Sequence, residues 1–243
     1  MYTHMSRYGL TVLHLWHIMC HMMKESYFSL ETVDEKSREM LQNLMKYRER
    51  HQIKFEPKHS ALLVLDMQKY FLDKRSHAYI PSAMAIIPKL EKLIKVFLKK
   101  KLPVIFTRHL NTYENANLMA EWWKELITEK NPLSEICEEL SHRDATVINK
   151  TQYDAFYETP LEDTLKEKGV TQIVVTGVMT HLCCETTVRS AFIRGFTVFF
   201  PVNGTATYNE DFHRSTFLNL SHGFAIPILC EEIQVAVENL NER

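Results

Sequence analysis

No two of the chain's five cysteines are spaced as CxxC. Cys20, Cys137, Cys183, Cys184 and Cys230 are odd in number and irregular in spacing. That argues against a disulfide framework or a cysteine zinc ribbon, and for a reducing, cytoplasmic location. Charge of one sign is lacking too: 29 Lys and Arg against 30 Asp and Glu leave a formal net charge of −1. No global field calls for nucleic acid or an anionic membrane as partner, and no basic run interleaved with aromatics suggests single-strand binding. Internal repeats and low-complexity stretches are missing. Long apolar runs are missing as well. The stretch 10–23, LTVLHLWHIMCHMM, is interrupted by His14, His17 and His21 and is shorter than the roughly 20 residues of a membrane span. Arg7 gives it a weak positive flank, but no small-residue cleavage site follows, as a signal peptide would need. It is expected to be a packing helix, or residues upstream of a start at Met22 or Met23. The His14-His17-Cys20-His21 spacing is a weak metal-chelating pattern on one helix face.

What is present is an α/β alternation. The 243 residues, 45% of them hydrophobic, suit one sizeable domain plus an extension. We read residues 1–56 as an N-terminal extension with one or two helices, including a charged amphipathic helix that opens near Thr32 or Asp34 and ends near His51. Residues 57–243 read as the main domain. Strands are expected at 60–65, 103–107, 146–148, 172–176, 196–200 and 225–228. Helices are expected at 82–101, 117–129, 161–168, 180–194, 210–222 and 231–240. Short apolar strands alternating with amphipathic helices imply a three-layer αβα, doubly wound sheet of about six mainly parallel strands. In such sheets reactive residues sit at the carboxyl ends of strands.

Three polar residues fall at such ends. Asp66 directly follows the strand SALLVL; partial desolvation there would raise a carboxylate toward useful basicity, although a capping role is equally open. Lys150 follows TVI by two residues; alone it reads as an ordinary solvated lysine. The pair Cys183-Cys184 lies in GVMTHLCCETT, where a helix opens after a strand. A cysteine in a first helical turn gains thiolate character from the helix dipole, and nearby N–H groups can hold an oxyanion. The alternative is a buried structural cysteine.

Three stretches together change the odds. ALLVLDMQKYF (61–71), VINKTQYDAF (147–156) and VVTGVMTHLCCETTVRSAFIRGF (174–196) occur in order. With them the chain resembles the isochorismatase-like cysteine hydrolase superfamily, which includes nicotinamidases, N-carbamoylsarcosine amidohydrolases and ureidoacrylate hydrolases. Three ordered motifs are far more specific than one. The resemblance implies that Asp66 takes the thiol proton, Lys150 stabilises the thiolate, and a cysteine attacks an amide-like carbonyl to leave a thioester that water hydrolyses. Counting Gly177 as first, the superfamily's nucleophile is seventh, Cys183; Cys184 then packs. The resemblance also implies a cis peptide between Val178 and Met179, with the N–H groups of Met179 and Cys183 as oxyanion donors.

Gln68, Phe71, Arg108, His109, Trp123, Tyr153 and Phe156 are candidate substrate-binding residues, each with a packing or surface alternative. Superfamily nicotinamidases carry an aspartate and histidines for a metal after the second strand. Here that region reads TRHLNTYEN, with Arg108 near the place of an acidic ligand. The expectation is therefore no cofactor and no catalytic metal, which argues against a nicotinamidase. The expected function is hydrolysis of a small amide, ureido or carbamoyl C–N bond. An isochorismatase-type vinyl ether hydrolase is disfavoured by Cys183, since that branch commonly has glycine there. A thiol-redox protein using Cys183-Cys184 would need a strained vicinal disulfide. The expected partner is a small-molecule substrate, and the resemblance suggests a homo-oligomer.

Overall fold

The strand SALLVL forms β1 (Ser60–Leu65) with every residue buried, as befits a strand covered on both faces. β1 lies between β2 (Val104–His109) and β4 (Gln172–Val178) and pairs with both in parallel. β3 (Thr146–Lys150) extends the sheet beyond β2, while β5 (Thr197–Pro201) and β7 (Ile226–Ile228) extend it beyond β4. The strand order is β3-β2-β1-β4-β5-β7, every ladder parallel. A seventh, two-residue strand, β6 (Thr205–Ala206), pairs with Gly177 and Val178 at the end of β4. With helices flanking the sheet this is the expected three-layer α/β architecture. The computed structural model describes residues 24–241. The 10–23 stretch, its histidine–cysteine cluster and the alternative starts at Met22 and Met23 lie outside the described residues.

From β1 the chain winds outward to β2 and β3, then crosses back to β4 and winds outward on the other side. The carboxyl ends of β1 and β4 thus flank the point where the winding direction reverses, where open α/β sheets bind ligands. Helix α1 (Val33–His51) buries Val33, Ser37, Met40, Leu41 and Leu44, a single stripe at helical spacing. The stripe packs against β7 and against α7 (Glu210–Gly223). No helix among the described residues is long and apolar enough to cross a membrane.

Four elements beside the site depart from the sequence reading. β2 and β3 run two residues further than expected, so Arg108, His109 and Lys150 are strand residues. The helix expected over 117–129 is only Leu118–Trp123 (α4), because Lys124 turns left-handed at φ 60°. The chain then folds back, and the carbonyl of Ile127 accepts the N–H of Asn111 at 2.8 Å. The helix expected from Thr180 begins instead as a wide π turn, Thr180–Cys184, before the regular helix α6 (Glu185–Ile193).

The β1–β4 contact leaves no room at one position. Gly177 has φ +103°, and a Cβ there would sit 2.0 Å from the carbonyl oxygen of Leu65. Both the backbone conformation and the close approach require glycine. Gly177→Ala is expected to destabilise the fold by about 3 kcal/mol or more. Thermal denaturation should show a fall in Tm of about 10 °C, whereas Gly169→Ala, in open space, should show much less.

Candidate active site

The sheet brings the three motif residues into one buried cluster. Asp66 leaves β1 in the left-handed conformation, φ 51°, and its side chain is fully buried. Lys150, at the end of β3, is also buried, and its Nζ lies 2.8 Å from Asp66 Oδ2. The same ammonium donates to the carbonyl of Gln152 at 2.9 Å and to Cys183 Sγ at 3.4 Å. Lys150 reaches Asp66 from two strands away, and β2 fills the gap. There Thr107 donates to Asp66 Oδ1 at 2.7 Å and His109 Nδ1 lies 3.5 Å from Lys150 Nζ.

The two oxygens of Asp66 are therefore unlike. Oδ1 is held by Thr107, while Oδ2 accepts no aligned hydrogen bond and meets Lys150 as an ion pair. Burial alone would raise this carboxyl. The close Lys150 charge, the neighbouring His109 and the hydrogen bond from Thr107 outweigh it, so Asp66 lies below its ordinary range. The expected upward shift of a partly desolvated carboxylate does not occur, because the carboxylate is paired. Burial alone would lower Lys150, but the adjacent Asp66 carboxylate holds its ammonium above the ordinary range. Cys183 moves the other way from the helix-dipole expectation. Its burial pushes the thiol up to about 12 although Lys150 pulls it down. The resting cluster is thus carboxylate, ammonium and thiol, with no net charge.

The peptide between Val178 and Met179 is cis, and Met179 and Cys183 both line a cleft. Cys184 points the other way, fully buried, with its sulfur 3.9 Å from the carbonyl of Thr176. Phe71, His109, Trp123 and Tyr153 line the cleft, and Trp123 Nε1 donates to Tyr153 Oη at 2.7 Å. Three sequence candidates lie elsewhere. Gln68 clasps the backbone, donating to the carbonyls of His109 and Ser134 and accepting the His109 N–H. Arg108 turns toward the carbonyl of Ser134 and pairs with Glu135 at 2.7 Å. Phe156 stacks on Phe196 beneath the guanidinium of Arg194. Each is spent on packing or on a polar neighbour, and none of the three lines the cleft.

Sequence reasoning missed several wall residues. Tyr70, His77 and Glu125 form a polar group in the wall: Tyr70 Oη is 3.0 Å and Glu125 Oε2 is 2.9 Å from His77 Nδ1. Asn111 accepts from His109 Nε2 at 2.7 Å. Tyr208 lines the cleft from the 205–209 loop. Tyr70 sits in the short helix Lys69–Leu72; the others lie on loops, and only the fold-back after α4 brings Glu125 to the cleft. The side chains after β2 do not make a cation site. Arg108 is drawn away, both ring nitrogens of His109 are taken by Lys150 and Asn111, and no group of three acidic, histidine or cysteine side chains is gathered among the described residues.

Two histidines in this region are buried and neutral. Burial, reinforced by the Lys150 charge, lowers His109 to about 4, and burial lowers His213 to about 3. In the unfolded chain both would take up a proton below about 6.5. The fold therefore keeps its full stability above that pH and loses it as pH falls toward 4, by about 1.4 kcal/mol per pH unit for each histidine. Denaturation midpoints between pH 8 and 5 should fall steeply below pH 6.5. His213→Gln should flatten that slope; an unchanged slope would remove His213 from the account.

Comparison with known proteins agrees with this architecture. The isochorismatase domain family matches residues 60–232. The chain is 38% identical over 182 residues to Nicotinamidase 3 of Arabidopsis thaliana, an alignment covering 72% of this chain and 87% of that protein. It is 29% identical to enterobactin synthase component B of Escherichia coli, covering 74% of this chain and 64% of that protein. Among solved structures, a cysteine hydrolase from Pseudomonas syringae superposes with a TM-score of 0.74 at 24% identity, covering 77% and 96% of the two chains. The chain belongs to the isochorismatase family of hydrolases.

Proposed function

We propose that this isochorismatase-family hydrolase is a cysteine amidohydrolase that cleaves the C–N bond of a small, uncharged carboxamide. One observation carries the reading: Cys183 lines the cleft, and its Sγ lies 3.4 Å from a lysine that is itself ion-paired to a buried aspartate. When a carboxamide displaces water from the cleft, Asp66 Oδ2, the oxygen without an aligned hydrogen bond, takes the thiol proton. Lys150 compensates the sulfur's negative charge as it forms. The sulfur attacks the carbonyl carbon, and the N–H groups of Met179 and Cys183 receive the oxygen. Collapse expels the amine, which leaves as ammonia with the proton held on Asp66. Water, deprotonated by the same carboxylate, then hydrolyses the thioester.

The lining of the cleft narrows the substrate. No lysine or arginine side chain lines it among the described residues, and Arg108 is committed to Glu135. A substrate carboxylate would enter an apolar, aromatic cleft without a cation to pair with, which is costly. Uncharged ring carboxamides therefore fit better than carbamoyl or ureido acids. The likeness to Nicotinamidase 3 supports the same reading and restores an assignment that the absent acidic ligand argued against. Isochorismatase-type chemistry is the second reading, and an intact thiol speaks against it.

Ammonia release from nicotinamide and benzamide should exceed that from N-carbamoylsarcosine and ureidoacrylate by about tenfold or more in kcat/KM, the worth of one poorly desolvated charge. Cys183→Ala should lower turnover at least about a thousandfold, while Cys184→Ala should keep most of it. Pyruvate release from isochorismate with no ammonia from any amide would overturn the proposal. Asp66→Asn leaves the Lys150 ammonium buried and unpaired. It should abolish turnover and also lower the denaturation midpoint.

A further inference from the structure

Resting on the reading of Cys183 as nucleophile, we infer that Tyr27, ahead of the residues the family match covers, is a positioning residue of this active site. Its hydroxyl joins two arms that both end on the turn carrying Cys183. Family matching covers residues 60–232, so Tyr27 reaches the turn from outside the matched domain.

The geometry is a closed ring. Tyr27 Oη accepts the backbone N–H of Thr207 at 3.0 Å and lies 3.0 Å from His213 Nδ1. His213 donates its Nε2–H to the carbonyl of Val202 at 3.1 Å, which fixes Nδ1 as an acceptor. The Tyr27 hydroxyl faces that acceptor. Thr180, the first residue of the Cys183 turn, places its hydroxyl 3.1 Å from the same Nδ1. On the other arm the Thr207 side chain bonds His181, the second residue of that turn. Tyr27 and His213 are buried, as is Thr180. The chain around Tyr27 is anchored independently. Glu25 N–H donates to the carbonyl of the cleft residue Tyr208 at 2.8 Å, Lys24 reaches the carbonyl of His77, and Phe28 N–H donates to Ser82 at 3.1 Å.

The turn needs such support. Thr180–Cys184 is wound as a π turn, whose hydrogen bonds are wider than those of an α-helix. The position of Sγ relative to Lys150 and Asp66 depends on where that turn sits. A buried hydroxyl tied through His213 to Thr180 and through Thr207 to His181 limits the freedom of that turn to rock. Distances in nucleophilic catalysis are unforgiving, and a displacement near 1 Å can cost about a hundredfold.

The test uses the full-length chain. Tyr27→Phe deletes the hydroxyl and keeps the ring packed on Phe28 and His213, at centroid separations of 4.6 and 5.2 Å. Phe28→Leu weakens the packing of the same segment and leaves both hydrogen-bonded arms in place. For Tyr27→Phe we expect kcat for the carboxamide to fall about tenfold with KM within twofold. For Phe28→Leu we expect a fall in Tm at least as large, with kcat retained. Combining Tyr27→Phe with His213→Gln should cost little more than either alone, because both break one ring. Full kcat in Tyr27→Phe would overturn the inference, and so would an equal loss of kcat in Phe28→Leu. The alkylation rate of Cys183 by iodoacetamide, read by peptide mass spectrometry, supplies a second measure that does not depend on amide turnover. If the wild type releases no ammonia from any amide, the functional reading fails. The positioning of the turn is then judged by alkylation alone: a rate changed severalfold in Tyr27→Phe and not in Phe28→Leu supports it, and equal rates overturn it.

Discussion

The arrangement of the site depends on one ion pair, Lys150 to Asp66, at 2.8 Å with both side chains buried. Neither charge is tolerable there alone, since removing a single ion from water costs several kcal/mol. Each makes the other possible, and the remaining donors and acceptors are spoken for by Gln152, Thr107 and Cys183. The topology serves this pair. A lysine placed two strands from its partner needs the intervening strand to be narrow and polar at its end, and β2 offers Thr107 and His109 there. Cys183 then stands, buried, next to a cation whose charge is already balanced, so Lys150 does not offset the burial that keeps the proton on sulfur.

Much of this was legible in the sequence because the relevant signals are short in range. Apolar runs bounded by polar residues locate the buried strands, and the residues just past them, Asp66, Lys150 and Cys183, are where an α/β sheet places its chemistry. The directions of the pKa shifts were not legible. They follow from which groups pair, and pairing between residues 66, 150 and 183 is a product of the tertiary fold. Arg108 shows the same limit in the opposite sense. It stands at the end of a strand beside the site, yet alternation along β2 turns its side chain away from the cleft and toward Ser134 and Glu135. Gln68 carries one of the recognisable motifs, but its amide is consumed in tying β1 to β2 and to the 132–134 turn.

The loops were the least legible part. A six-residue helix ending at a left-handed lysine carries no periodic signature that separates it from a longer one. The return of the chain to Asn111 is set by a single backbone hydrogen bond. The polar group of Tyr70, His77 and Glu125 gathers from two segments nearly fifty residues apart, and no local pattern announces it. The N-terminal helix was readable as amphipathic, but not the surface it covers: its stripe rests on β7 and α7, so the segment leading into it is carried beside Tyr208 and His213.

Burial of the Cys183 thiol bears on chemical durability as well. Peroxide and disulfide exchange both act on thiolates, and a sulfur protonated up to about 12 offers almost none at neutral pH. The adjacent Cys184 is equally protonated and faces the sheet, so it is poorly placed to resolve an oxidised neighbour. A site built this way holds its sulfur buried and in the less reactive, protonated form. It would pass through an oxidising interval with little loss, and would be most vulnerable during turnover, when the proton has moved to the carboxylate.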